Sequence, residues 1–171
     1  MYRILEYTLL FIVVVVLQVF LFDNMRIGFY LNPFIYLAFV ILLPVNTKSY
    51  IVILLAAFMG IVIDFLTGTA GVSTASTALA AFCRPAVLKL FLGTDEIEEG
   101  GIPNIRKIGV AKFIGYSLVI ILLHNIVFFA LEALSFSEAW FAVIRIAVST
   151  TSTLLVVYFC QLLFIVKRAG G

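Results

Sequence analysis

Charge is what this sequence has least of. Of its 171 residues only 12% are charged while 64% are hydrophobic, and the mean hydropathy is +1.24. A soluble domain runs at about 25% charged and about 45–50% apolar. A soluble chain this short buries only about two-thirds of the surface that its unfolded form exposes, so that much apolar surface has nowhere to go in water. A water-soluble enzyme, a disordered chain and a disulfide scaffold are all excluded. Cysteine is nearly absent too: Cys83 and Cys160 sit in apolar runs with no CxxC or other ligand spacing, and read as buried thiols rather than metal or redox groups. A single His and the lack of any GxSxG leave no grouping of nucleophile, base and orienting residue. Neither catalysis nor a cofactor is expected. The 11 Lys and Arg are spread singly and the net charge is +2, so there is no basic footprint for nucleic acid. The solvent is a bilayer, and membrane lipids are the partner that composition itself demands.

What is present is a series of apolar segments, each near the length of about 20 residues that a spanning helix uses. Six can be drawn: Ile4–Phe22, Leu31–Val45, Ser49–Leu66, Thr69–Phe91, Val110–Leu134 and Ala139–Val166. The expected fold is an all-α integral membrane protein, one domain over residues 1–171, built as a bundle of six transmembrane helices. The first segment has no small-x-small cleavage site after it and reads as an uncleaved span. The second is the shortest. Asn32-Pro33 opens it as an N-cap and first-turn pair, Pro44 ends it, and the 13 residues from Pro33 to Val45 rise only about 20 Å. An extension by Ile27–Tyr30 would lengthen it. In the fourth segment Arg84-Pro85 reads as an interruption, with Arg84 snorkelling to the interface and Ala86–Leu92 as an interfacial turn. Trp140 beside Glu138 reads as an anchor at the opposite boundary.

Sorting Lys and Arg by loop sets the orientation. Arg3, Lys48, Arg84, Lys89, Arg106, Lys107, Lys112, Lys167 and Arg168 fall on one side of a six-span chain, Arg26 and Arg145 on the other. Positive loops stay inside, so both termini and the loop Gly93–Gly109 are expected in the cytoplasm. That loop runs acidic, through Asp95, Glu96, Glu98 and Glu99, then basic at Arg106 and Lys107. Its plain reading is a solvated linker. The alternative is a docking element for a cytosolic partner.

Polar groups inside the spans need a reason, because a charge at mid-bilayer costs a few kcal/mol. Asp64 lies about 22 Å along the third segment and Arg145 about 10 Å below the outer end of the sixth. His124 and Asn125 fall in the outer half of the fifth. The matching depths define a candidate buried polar cluster of Asp64, His124, Asn125 and Arg145, with Asp64 and Arg145 paired. Such a pair predicts that Asp64→Ala is far worse than neutralising both. Small residues recur at Ala70, Thr74 and Ala78 and at Ser73, Thr77 and Ala81, which suits a central helix approached closely by its neighbours. In the sixth segment the hydroxyls of Ser149–Thr153 can bond to their own i−4 carbonyls.

The sharpest local pattern joins the third and fourth segments: Gly60-Ile-Val-Ile-Asp64-Phe-Leu-Thr-Gly68-Thr-Ala-Gly71. Gly60 permits close helix approach, Asp64 stands near a helix end, and Gly68 and Gly71 make the turn. This G-x-x-x-D-x-x-x-G-x-x-G pattern resembles the motif of the rod-shape-determining MreD family of bacterial inner-membrane proteins. Length, hydropathy profile and Asn32-Pro33 agree with the likeness, which covers about residues 32–85 by motif. The resemblance implies a non-enzymatic, multi-pass component of the peptidoglycan elongation machinery in the inner membrane. Its implied partners are an MreC-like protein, an MreB-like filament and a RodA–transpeptidase synthase pair. It also implies a fold similar to the six-helix substrate-binding subunits of energy-coupling-factor transporters, which makes a small-molecule- or lipid-binding transporter subunit the alternative function. Gly60, Asp64, Gly68 and Gly71 are the residues that match the motif.

Overall fold

The computed structural model describes residues 2–22, 33–132 and 139–169. Arg26, the segment Ile27–Tyr30, Asn32, Glu138 and the side chain of Trp140 lie outside that description. The described residues form helices and turns with no strand: α1 (Tyr2–Val16) running into a π-helical turn (Leu17–Phe22), α2 (Leu37–Leu42), α3 (Ser49–Thr67), α4 (Val72–Phe91), α5 (Thr94–Glu98), α6 (Ile105–Ile108), α7 (Val110–Glu132) and α8 (Ala139–Ala169). Among the described residues three stretches are long and apolar enough to cross a bilayer: Ser49–Thr67, Val110–Glu132 and, within α8, Ala142–Leu162.

Helix α4 is not among those three, and its composition says why. It is rich in Ser, Thr and Ala, and it packs between α3 and α7 with Ser73, Ser76, Thr77, Ala80 and Ala81 turned inward. Small side chains let the neighbours come close. The helix also runs unbroken through Pro85 to Phe91, so the interruption expected at Arg84-Pro85 does not occur.

The largest departure is the second apolar segment. Its helix is only six residues long, α2, about 9 Å at 1.5 Å per residue, too short to cross a bilayer by itself. Residues 34–43 are all buried, several of them completely. Rather than facing lipid, this stretch fills the middle of the bundle. Pro44 does end the helix: Leu43 is already extended at ψ 148°, as the residue before a proline prefers.

A short helix inside an apolar bundle has a problem at both ends, since its terminal N–H and C=O groups lack intrahelical partners and no water is at hand. Side chains from other helices solve it. At the N-terminal side, the Phe34 N–H donates to Thr153 Oγ1 (2.9 Å) and the Ile35 N–H to Gln18 Oε1 (2.9 Å). At the C-terminal side, the Tyr116 hydroxyl donates to the Ile41 carbonyl, and the Arg84 guanidinium donates to the carbonyls of Leu43 and Pro44.

The polar loop is folded against the bundle. Ile97, Ile102 and Ile105 pack on the core, and the Val45 N–H donates to the Gly101 carbonyl (2.8 Å). Glu96 begins α5 by accepting the Gly93 N–H and pairs with Lys112 at 2.7 Å, while Lys107 pairs with Glu99 at 3.2 Å. The Lys112 ammonium, and then the Gly93 N–H, hold the Glu96 carboxyl below its ordinary value of 4.5. A depressed carboxylate adds stability that is present above the unfolded value and disappears as pH falls through the folded one. Amide-exchange protection over 93–99 should therefore hold from pH 7 to pH 5 and decline only below about 4.5. Glu96→Gln should lose the pH dependence, and a decline already between pH 7 and 6 would contradict the assignment.

Candidate functional site

The Gly60–Gly71 motif builds the contact between α3 and α4. Helix α3 ends where Gly68 turns left-handed at φ 74°, its N–H returning to the Asp64 carbonyl (2.8 Å). Gly71, at φ 89°, sits at the N-cap position of α4, where it has no side chain to cap with. The cap comes from the preceding helix. Asp64 Oδ1 accepts the Ser73 N–H (2.9 Å) and the Thr69 hydroxyl, and Oδ2 accepts the Thr74 N–H (2.9 Å) and the Thr74 hydroxyl (2.6 Å). Ser73 and Thr74 are the second and third residues of α4, the two amides that an N-cap side chain normally serves. A carboxylate there also meets the positive end of the helix dipole. One turn earlier, Gly60 lies flat against the same spot: a Cβ placed on it would come within 2.4 Å of the Thr74 Cα and 2.8 Å of its nitrogen.

The four residues of the expected polar cluster fall into three places. His124 and Asn125 are together and completely buried on α7. His124 Nδ1 lies 3.2 Å from Asn125 Oδ1, an acceptor that a proton on Nδ1 would serve. His124 Nε2 then faces the Tyr36 hydroxyl (2.9 Å) and Ser76 Oγ (3.0 Å). Asn125 Nδ2 continues to Thr150 Oγ1 (2.8 Å) on α8, so the network ties α4, α7, α8 and the buried second segment. Phe34, Tyr36 and Phe128 pack around the imidazole with ring centroids 5.1–5.8 Å away.

Asp64 is engaged at the α4 terminus, and no ion pair joins it to Arg145 among the described residues. Arg145 pairs instead with Glu132 at 3.0 Å, its guanidinium carbon 4.6 Å from the centre of the Phe129 ring. The depth argument matched charge to charge, but the group that compensates Asp64 is the set of unpaired amides at a helix N-terminus. In α8, Thr151 and Ser152 do bond to their i−4 carbonyls. Thr150 and Thr153 reach across to Asn125 and Phe34.

Arg84 departs furthest from its sequence reading. It is 2% exposed. Besides the two carbonyls beyond α2, its Nε donates to the Tyr116 hydroxyl (2.8 Å). Its planar fork reaches three separated acceptors at once, whereas the three donors of a Lys ammonium radiate from a single atom. Arg84→Met fills the stem's space yet leaves the Leu43 and Pro44 carbonyls without that donor, and removing the buried charge offsets part of the loss. The net expectation is about 2 kcal/mol of destabilisation, with Arg84→Lys in between, measured by unfolding in mixed micelles. An unchanged Arg84→Met protein would show that the cap at the end of α2 is dispensable.

Comparison with known proteins finds no matching family model, no matching curated protein and no matching solved structure.

Proposed function

We propose that this protein is a non-enzymatic scaffold of the bacterial cell-wall elongation complex, resembling the MreD family. In this reading it is a multi-pass protein of the inner membrane with both termini in the cytoplasm. One observation carries it: apart from Ser117 Oγ, Ser149 Oγ, Gln161 Oε1 and Arg145 Nε, which lie scattered on α7 and α8, the buried polar side chains among the described residues are occupied by other groups of the bundle. Asp64 serves the amides of α4, Gln18, Thr153, Arg84 and Tyr116 serve the ends of the buried second segment, and His124 and Asn125 serve Tyr36, Ser76 and Thr150. A carrier or an enzyme needs convergent polar groups held free for a substrate. Here they hold helices together. The outward surface is apolar, with Phe58, Phe65, Phe82 and Phe159 all more than half exposed, a surface suited to lipid and to the spans of partner proteins alike. By the resemblance those partners are an MreC-like protein, an MreB-like filament and a RodA–transpeptidase pair.

Depletion in a rod-shaped host is the test. Rounding of the cells, with co-purification of the MreC-like protein, is the expected result. Unchanged shape together with loss of uptake of a small vitamin would move the protein to the transporter class. For topology, a cysteine at position 98 in a background lacking Cys83 and Cys160 should react with an impermeant thiol reagent only after the membrane is opened. Labelling of intact cells would reverse the orientation.

A further inference from the structure

A cavity of ≈ 140 Å³ opens at the end of the bundle where α3 starts and α4 finishes, and its polar wall is made of Thr47, Ser49, Arg84 and Lys89. Val52 and Leu88 supply apolar wall, and no carboxylate lines it. The volume is close to that of a cavity that admits benzene, about 150 Å³, so a tetrahedral oxyanion fits.

Two features point to what belongs there. Arg84 is a cation only 2% exposed whose hydrogen-bond partners are all neutral, two carbonyls and a phenol. No acidic side chain pairs with it among the described residues. A buried charge is ordinarily retained where an opposite charge meets it. Independently, the 19-residue helix α3 begins at the cavity wall with Ser49, and its N-cap residue Lys48 makes no side-chain cap. The amides of Ile51 and Val52 return to the Lys48 carbonyl, which leaves those of Ser49 and Tyr50 as the helix-terminal N–H groups, and a helix N-terminus without a side-chain cap favours an anion. Lys89 is exposed at the rim with no ion pair among the described residues.

We propose that this cavity binds a phosphate group carrying net negative charge, which gives Arg84 its missing counter-charge. The source that the surroundings favour is the headgroup of an anionic phospholipid. Val52 and Leu88 are apolar wall, and next to the rim Leu90 is 74% and Tyr50 58% exposed, in position to meet the glycerol and acyl parts. Basic pockets between spanning helices take such headgroups. The proposal requires a membrane-embedded bundle but not the scaffold role, so each can fail alone.

The test uses the full chain in detergent, with native mass spectrometry to count bound lipid and thermal unfolding as a second readout. Phosphatidylglycerol should bind in preference to phosphatidylcholine and raise the unfolding midpoint. Lys89→Gln should weaken phosphatidylglycerol binding roughly fivefold, the value of one near-surface cation. Arg106→Gln, a cation at the same end that does not line the cavity, should leave it unchanged. Inorganic phosphate is the second arm. Competition with the lipid at millimolar concentration would assign the site to free phosphate as well, and no competition would assign it to the lipid alone. Equal loss in the Lys89 and Arg106 variants, or equal binding of the two lipids with no response to phosphate, would overturn the proposal.

Discussion

Asp64→Ala should destabilise the protein by about 3–5 kcal/mol in mixed-micelle unfolding, because it leaves two helix-terminal amides and two hydroxyls without their acceptor. Charge-assisted hydrogen bonds contribute about 1.5–3 kcal/mol each, and unsatisfied buried donors carry a penalty of about 1–3 kcal/mol. Losing an ordinary N-cap costs about 0.5–2 kcal/mol where water can take over. Asp64 is 9% exposed, and its partners Ser73 and Thr74 are buried and half-buried, so water replaces little. Asp64→Asn keeps the shape and one good acceptor and should fall roughly midway. Adding Arg145→Ala to Asp64→Ala should bring no rescue, since Arg145 is bound to Glu132. A double variant more stable than Asp64→Ala alone would restore the pairing of the two charges.

Gly60→Leu should be as severe, at more than about 4 kcal/mol, and should lower the amount of folded protein in the membrane. The nearest atoms to a Cβ at Gly60 belong to the backbone of α4: the Thr74 Cα at 2.4 Å, the Thr74 nitrogen at 2.8 Å and the Ser73 carbonyl oxygen at 2.9 Å. Non-bonded carbons rest at about 3.5–4.0 Å. Backbone cannot rotate away, so α4 would have to move off α3 by about an ångström, taking the amides of Ser73 and Thr74 out of reach of Asp64. Even Gly60→Ala should lose about 2–3 kcal/mol, at the upper end of ordinary overpacking. The same measurement on Gly115→Ala gives a contrast. There the crowding atoms are the ring of Phe91, which can swing, and the loss should be smaller.

Several parts of this architecture were legible in the residues. The helices α3, α7 and α8 follow from apolar run length, and the hairpin between α3 and α4 follows from Gly60, Gly68 and Gly71. The inward face of α4 follows from its row of Ser73, Thr77 and Ala81. Other parts were hidden for a common reason. The compensating groups for Asp64 are the amides of Ser73 and Thr74, and those for Arg84 are the carbonyls of Leu43 and Pro44. Backbone groups belong to every residue alike, so a sequence displays Asp and Arg as charges in need of charges and does not show that a helix end will meet them. The second segment misleads differently. A short helix sealed inside a bundle and a helix bathed in lipid are both apolar throughout, and periodicity does not separate them. Only the shortness of Pro33–Val45 hinted at the difference. The loop 93–109 read as a linker because its charges dominate its composition, while the four isoleucines that pin it, Ile97, Ile102, Ile105 and Ile108, are spaced too irregularly to form a pattern.

What unites these findings is the use of intramembrane polar side chains to finish helix ends. In a bilayer each unsatisfied backbone group is expensive, and this chain places a short buried helix and a tight hairpin where such groups are inevitable. Asp64, Gln18, Arg84, Tyr116 and Thr153 answer that need. They are architecture, in keeping with the proposed scaffold role.

The most direct measurement is a pair of double-mutant cycles read as unfolding free energies in mixed micelles: Asp64→Ala with Thr74→Val, and Asp64→Ala with Arg145→Ala. Groups in direct contact couple by about 0.5–3 kcal/mol, and distant ones add within about 0.3–0.5 kcal/mol. The account predicts clear coupling of at least about 1 kcal/mol between Asp64 and Thr74 and simple additivity between Asp64 and Arg145. Additivity in the first cycle with strong coupling in the second would contradict it.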